Sequence, residues 1–498
     1  MNPLLKIKTF GELKAAKYAT KTIKDELRDN LIIALKSNSK IFKGIVGYEK
    51  TVMPDLQRAI LSRHNINLLG LRGQAKTRIA RQMTELLDEY IPFVAGSEIN
   101  DDPFHPISYH ARHQLEILGD ETPIAWLHKN DRFVEKLATP DVTVADLIGD
   151  IDPIKAANLK ISYADERAIH FGLIPRSNRC LFVINELPDL QARIQVALFN
   201  ILQEGDIQIR GFRLRLPLDI QFVFTANPED YTNRGSIVTP LKDRIQSQIV
   251  THYPKEIAIA KTITKQEAKL PKAQTDMVKV PEIIYDLIEQ ISFEARTSEF
   301  VDAKSGVSAR LGISALENLI SSAERRALIN GETKTTARIS DLWGTVAAIN
   351  GKIELVYEGE QEGPVNVANF LIAKAIRSLF VNYFPDPERF KRKKETNPYD
   401  TITNWFNSDH DIDLLLDEEK QGYESKLKNV DGLKDLVNLY YKSLPEDERL
   451  LLMEFVLYGL ASYSQLNRMA LDSSMLFKDL FSSVFNNDED ETGKFGAN

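Results

Sequence analysis

Asn67-Leu68-Leu69-Gly70-Leu71-Arg72-Gly73-Gln74-Ala75-Lys76-Thr77-Arg78-Ile79-Ala80 is the stretch that decides the fold. It reads as a short apolar strand, a glycine-bearing loop and a helix opened by Lys-Thr. The spacing is that of a phosphate-binding loop, G-x-x-x-x-G-K-[ST], with Ala75 where the second glycine is expected. Backbone N–H groups of such a loop turn inward and cradle phosphate oxygens at a helix N-terminus. The pattern therefore implies a nucleoside triphosphate with Mg2+. Gly70, Arg72, Gly73, Gln74, Ala75, Lys76, Thr77 and Arg78 form the candidate nucleotide-binding set. Lys76 is placed to reach the β- and γ-phosphates, and the Thr77 hydroxyl to ligate the metal.

Downstream, Arg179-Cys180-Leu181-Phe182-Val183-Ile184-Asn185-Glu186-Leu187 is an apolar strand ending in two polar residues. A nucleotide hydrolase places its acidic pair at such a strand end. Here Asn185 takes the position of the aspartate that holds the metal shell, and Glu186 follows. A neutral amide can bond a metal-bound water but adds no charge attraction. Glu186 is placed to orient or deprotonate the attacking water. An amphipathic helix is expected over Leu190 to Gln203, then a β-hairpin over 205–217 about a central glycine. The next strand, Ile220 to Ala226, ends at Asn227, whose amide could hold the γ-phosphate or the water. Arg244, in Pro240-Leu241-Lys242-Asp243-Arg244-Ile245, could make a surface ion pair or reach a neighbouring subunit's γ-phosphate.

Upstream, residues 1–42 have a helical pattern with Leu27, Leu31, Ile32, Ile33 and Leu35 as the apolar face. Gly44-Ile45-Val46-Gly47-Tyr48-Glu49 makes a turn that could lie against an adenine ring or cover the sheet. Thr77 to Tyr90 is expected as one helix. The long polar stretch from Gly96 to about Arg179 reads as an insertion, since plain connections are shorter. Within it His105, His110, His113 and His128 invite a metal hypothesis. No Cys or H-x3-H pair supports one, and hydrogen-bonded loop histidines are the expectation.

In this order the motifs resemble the AAA+ ATPases, in the helix-2-insert branch that contains the MoxR proteins and the ATPase subunit of magnesium chelatase. The loop from Gly70 to Thr77 is similar to the MoxR form, in which alanine also precedes the lysine. Gly172-Leu173-Ile174-Pro175-Arg176-Ser177-Asn178-Arg179 resembles the chelatase segment before the acidic-pair strand. The resemblance covers roughly residues 40 to 355. It implies sensor 1 at Asn227, an arginine finger in trans at Arg244, and a sensor 2 at Arg310 within Ser305-Gly306-Val307-Ser308-Ala309-Arg310. It implies Glu186 as the residue that polarises water, and Thr77 and Asn185 on the metal side. The expected fold is α/β, an AAA+ P-loop parallel sheet with a helix-2 insert and pre-sensor β-hairpin, then an α-helical lid and a C-terminal α-helical extension.

The expected divisions are an N-terminal helical segment at 1–42, the α/β core at 43–255 with its insert at about 96–179, the lid at 256–357, the extension at 358–485 and an acidic disordered tail at 486–498. In the extension, 390–428 reads as charged and loop-rich. Ser443-Leu444-Pro445-Glu446 has the spacing of a capping box. Met475, Leu476, Phe477, Leu480, Phe481, Val484 and Phe485 form a last apolar stripe, as core or as a partner groove.

Composition bounds the rest. The 43% hydrophobic and 27% charged fractions are those of an ordinary globular protein, and no run of about 18 apolar residues suggests a membrane span. The single cysteine, Cys180, excludes an internal disulfide, reads as a small buried residue and suits a reducing, cytoplasmic location. A net charge of −8 gives no electrostatic reason to expect nucleic-acid binding, and no helix-turn-helix segment is seen. The local cluster Arg210, Arg213 and Arg215 reads as a solvated hairpin edge or a phosphate-backbone contact. The function expected is an ATP-hydrolysing ring motor, a homo-oligomer and by resemblance a hexamer, that remodels a protein client. Relatives work with a von Willebrand factor A partner bearing a D-x-S-x-S metal site. That motif is not found here, so the partner is expected as a separate chain. The alternative is a nucleotide-gated scaffold with weak hydrolysis, motivated by Asn185.

Overall fold

β1 (Ile66–Leu69), the strand that leads into the phosphate loop, lies inside a five-stranded parallel sheet. Its companions are β2 (Phe133–Leu137), β3 (Leu181–Asn185), β4 (Gln221–Ala226) and β5 (Ser247–Val250), in the order β5-β1-β4-β3-β2. The computed structural model describes residues 3–162, 165–209, 215–228, 236–392, 397–408, 410–470 and 474–478. The chain divides into two compact units, residues 1–253 and 254–498.

Parallel strands covered on both faces need apolar residues at nearly every position. β3 and β4 meet that demand and are buried throughout. Alternation then divides their side chains. Phe182, Ile184, Phe222 and Phe224 enter one core with Ile194 and Leu198, whereas Leu181, Val183 and Val223 enter the other with Leu27, Leu56 and Ile79. The register sets Leu69 beside Ala226 and Phe224 beside Ile184. The carboxyl ends of β1, β3 and β4 are thereby aligned, so Gly70, Glu186 and Asn227 emerge along one edge. Open α/β sheets bind ligands at that edge.

Several local expectations differ from what forms. The stretch 96–179 is not one insertion, because it contributes the edge strand β2, paired to β3. Phe133-Val134-Glu135-Lys136-Leu137 reads as polar because an edge strand carries charge toward solvent. The helix after the loop, α3 (Lys76–Gln82), ends well before Tyr90 and passes through a 3-10 turn into a strand at Tyr90–Val94. On the N-terminal helix α1 (Ile23–Lys36) the buried positions are Ile23, Glu26, Leu27 and Leu31. Ile33 and Leu35 lie off that face and are 63% and 44% exposed. α2 (Val52–Leu61) packs beside α1, with Met53, Leu56, Ala59 and Ile60 buried. The span from Leu190 to Gln203 forms two short helices, Ala192–Ala197 and Phe199–Glu204. The hairpin closes by pairing Asp206–Gln208 with Arg215–Pro217, and its tip, with Arg210 and Arg213, lies outside the described residues.

The second unit is mainly helical. α5 (Glu282–Thr297), α6 (Arg310–Ile329), α7 (Pro364–Tyr383) and α8 (Glu446–Ser462) carry its core. α7 is long and apolar enough to cross a bilayer by length and composition, yet Leu371, Ile372, Ile376 and Phe380 are buried within the unit. α8 is buried on all sides from Leu450 to Leu460, as expected of a central helix. Its start has no side-chain cap, so the Ser443 capping box does not form; Pro445 stands at the N-cap. The region 390–428 holds two helices, Asp400–Asn407 and Lys420–Lys428, and a strand, Ile412–Leu415. Met475 and Phe477 belong to a strand, Ser474–Lys478, between Ile412–Leu415 and Asn467–Ala470. Leu480 to Phe485 and the tail at 486–498 lie outside the described residues.

Candidate nucleotide-binding site

Gly70 closes β1 by donating its N–H to the Ala226 carbonyl at 3.1 Å, which ties the loop to the strand that ends at Asn227. The backbone then turns through two left-handed residues, Gly73 at φ 72° and Ala75 at φ 57°. The left-handed requirement explains why glycine is expected at position 75, and alanine adopts it with the smallest possible Cβ. Lys76, the first residue of α3, folds back and donates its ammonium to the Gly70 carbonyl and, at 2.9 Å, to that of Leu71. The ammonium is thus held over the loop that would carry phosphate.

The loop is braced from behind. Thr251 donates its hydroxyl to the buried Gln74 side-chain carbonyl at 2.6 Å. The Tyr48 hydroxyl lies 3.1 Å from the Gln74 carbonyl and 2.8 Å from the His252 carbonyl, and Tyr253 donates to the Arg72 carbonyl at 2.8 Å. Burial pushes Tyr48 up to about 12, so it remains a donor across the physiological range. Arg72 and Thr77 are exposed, and Arg78 is half-buried. Of the two readings of the Gly44–Glu49 turn, these contacts give Tyr48 a bracing role at the loop.

Across the sheet edge, Asn185 gathers the metal-side groups. Its Oδ1 accepts from Thr77 Oγ1 at 3.4 Å and from Thr225 Oγ1 at 3.1 Å. Its amide nitrogen donates to Glu135 on β2. Glu186 follows at φ 56°, a left-handed turn that ends β3 abruptly and leaves the carboxylate exposed. The Glu186 N–H is fixed on Thr225 Oγ1 at 3.1 Å. Thr77 Oγ1, Asn185 Oδ1 and the Glu186 carboxylate are oxygen atoms, the donor chemistry that suits magnesium and its bound water. The residues present therefore fit Mg2+ and ATP.

The structure thus brings the loop, Asn185, Glu186 and Asn227 to one edge. Arg244 ends the helix α4 (Thr239–Arg244), with Nε donating to Gln203 at 3.0 Å, another nitrogen to the Pro240 carbonyl at 2.8 Å, and the guanidinium 4.9 Å from the Phe199 ring centre. Arg310 is exposed at the first position of α6, in the second unit, its N–H bonded to Ser308 Oγ at 3.1 Å. The histidines go separate ways: His105 to Asp102, His110 to the Ala95 carbonyl, His113 stacked on Tyr109, and His128 accepting from the Asn130 N–H. Among the described residues no three His, Cys, Asp or Glu side chains gather as metal ligands. Cys180 is buried, which pushes its thiol up to about 12. Three residues at the site escaped the sequence reading: Glu135, Thr225 and Thr251. Thr225 sits within an apolar run, and Glu135 lies in the stretch read as insertion; only pairing of β2 to β3 brings it to Asn185.

No protein-family model matches the chain. In sequence it is 25% identical over 237 residues to the magnesium-chelatase 38 kDa subunit of Cereibacter sphaeroides, covering 46% of this chain and 63% of that protein. It is 24% identical over 210 residues to the chaperone MoxR1 of Mycobacterium tuberculosis, covering 39% of this chain and 53% of that protein. The chain thus spans between half and two thirds of the curated relatives it matches. Among solved structures, a complex of the BchI and BchD subunits of magnesium chelatase aligns with a TM-score of 0.33 and 20% identity, covering 64% of this chain and 98% of that one. In its ordered motifs and its parallel sheet carrying the phosphate loop, the chain is similar to AAA+ ATPases of the MoxR and magnesium-chelatase kind.

Proposed function

We propose that the chain binds Mg2+-ATP at the edge formed by Gly70–Arg78, Asn185, Glu186 and Asn227 and hydrolyses it. The observation that carries this reading is the meeting of Thr77 Oγ1 with Asn185 Oδ1 beside the exposed Glu186 carboxylate. Magnesium, when bound, supplies charge neutralisation at the phosphates, and Thr77 and Asn185 are the residues that would hold it. Lys76 neutralises phosphate charge, and Glu186 orients and deprotonates water. Asn227 positions that water or the γ-phosphate. Arg244 acts as an arginine finger on the next subunit and Arg310 as the lid's sensor.

By likeness to AAA+ motors, the active form is a cytoplasmic ring, a hexamer, that remodels a protein client together with a separate von Willebrand factor A partner. In the same reading, the parts of 96–179 outside β2 and the hairpin at 206–216 change position between nucleotide states and act on the client. The neutral Asn185 favours a second reading, a nucleotide-gated scaffold that turns over slowly. Steady-state phosphate release from purified protein decides between them. The motor reading expects magnesium-dependent turnover that Glu186→Gln lowers at least about a hundredfold. It also expects Lys76→Ala to abolish binding of a fluorescent nucleotide. No turnover in the wild type, unchanged by Glu186→Gln, favours the scaffold. Unchanged nucleotide affinity in Lys76→Ala removes the loop assignment altogether.

A further inference from the structure

We propose that Glu135 is a positioning residue for the cation side of this site and carries the negative charge that Asn185 lacks. The inference rests on the reading above, that the edge takes a nucleotide with a divalent cation. Glu135 stands on β2 opposite Val183, two residues before Leu137, which faces Asn185. Its side chain therefore lies on the same strand face as that pair, diagonal to Asn185.

Hydrogen-bond chemistry fixes the amide. An ionised carboxylate only accepts, so the Asn185 group turned to Glu135 is its NH2. The opposite group, Oδ1, then faces the hydroxyls of Thr77 at 3.4 Å and Thr225 at 3.1 Å. Without Glu135 the remaining side-chain partners of the amide are hydroxyls, which donate or accept, and a flip would turn two N–H donors toward a cation. Glu135 thus fixes the oxygen-out orientation. It also places a formal negative charge one side chain behind the position where an aspartate would carry it. Its other oxygen is paired to Arg81, at the end of α3, at 2.9 Å. The loop helix and the metal-side strand therefore share this carboxylate.

The test is the free-magnesium dependence of fluorescent ADP binding to the full chain. Glu135→Gln is expected to raise the magnesium concentration required about tenfold, from loss of one charge near the cation, while binding in excess chelator stays at the wild-type level. A merely structural defect would lower both. The charge-swapped double variant Glu135→Gln/Asn185→Asp, which restores an aspartate bonded to a neutral amide, is expected to return within about threefold of wild type. Glu135→Asp keeps the charge but withdraws it from the amide, and is expected to lie between wild type and Glu135→Gln; it reads the same contact should Glu135→Gln fold poorly. A wild-type magnesium requirement in Glu135→Gln or Glu135→Asp, or no recovery in the double variant, overturns the role of Glu135. Absence of nucleotide binding in the wild type itself overturns instead the reading of the site.

Discussion

Two small residues of the phosphate loop are small for opposite reasons. At Gly70 an added Cβ would lie 1.9 Å from Thr251 Oγ1 and 2.2 Å from Gln74 Oε1. Those two atoms are bonded to each other and buried, so neither has room to withdraw. Gly70→Ala must therefore push the loop off its brace, and an affinity loss of at least about tenfold in a fluorescent-nucleotide titration is expected. Ala75 already has a Cβ in a left-handed conformation, a strain of roughly 1–2 kcal/mol. Ala75→Gly removes that strain, offset by about 0.4–1 kcal/mol of added unfolded-state entropy. The variant should hold its melting temperature and bind nucleotide within about threefold of wild type. Equal losses at the two positions would show that the loop depends on side-chain bulk at 75 and not on its backbone.

At the scale of elements, the strands and helices were legible where one period dominates. β1, β3 and β4 read as apolar runs because both faces are covered. β2 was not legible, because an edge strand with Glu135 and Lys136 has the composition of a loop. The candidate site was readable wherever a motif continues along the chain, from Gly70 to Thr77 and at Asn185-Glu186. Thr225, Thr251 and Glu135 join it only through sheet pairing, which no local pattern reports. The same holds for the docking of α1. Its first N–H, at Ile23, donates to Asp219 at 2.7 Å, and its Glu26 pairs with Arg132 through two bonds of 2.7 Å. Burial, against the pull of Arg179 and Arg132, pushes Asp219 up to about 6. The folded state thus holds a proton that the unfolded chain has released. This contribution is present in full below about pH 4 and is lost as pH rises through about 6. Asp219→Asn keeps the acceptor for Ile23 and cannot ionise. Thermal melts should show the variant more stable than wild type at about pH 7.5, with the gap closing near pH 4.5. Greater wild-type stability at the higher pH would mean that attraction to the two arginines outweighs desolvation.

For the whole molecule the decisive residue is Arg244, because its proposed partner is not in its own chain. Within the chain it rests on Gln203 and the Phe199 ring, a contact that could be purely structural. If it instead serves the neighbouring subunit, each active centre combines one chain's loop with the next chain's guanidinium, as head-to-tail contacts in a ring require. Arg244→Ala should then keep nucleotide affinity and lose turnover by about a thousandfold. A mixture gives the sharper result. Lys76→Ala subunits have no working loop but an intact Arg244, and Arg244→Ala subunits have the reverse. Each is inactive alone. In an equal, freely exchanging mixture, half of the centres have a working loop and half of those face an intact arginine. Phosphate release should therefore recover to about a quarter of the wild-type rate per chain. A structural arginine predicts no recovery, since every chain with a working loop would still carry the defect at 244. Recovery that appears on mixing and vanishes on dilution would assign Arg244 to the interface and make the assembled ring, not the single chain, the unit that hydrolyses ATP.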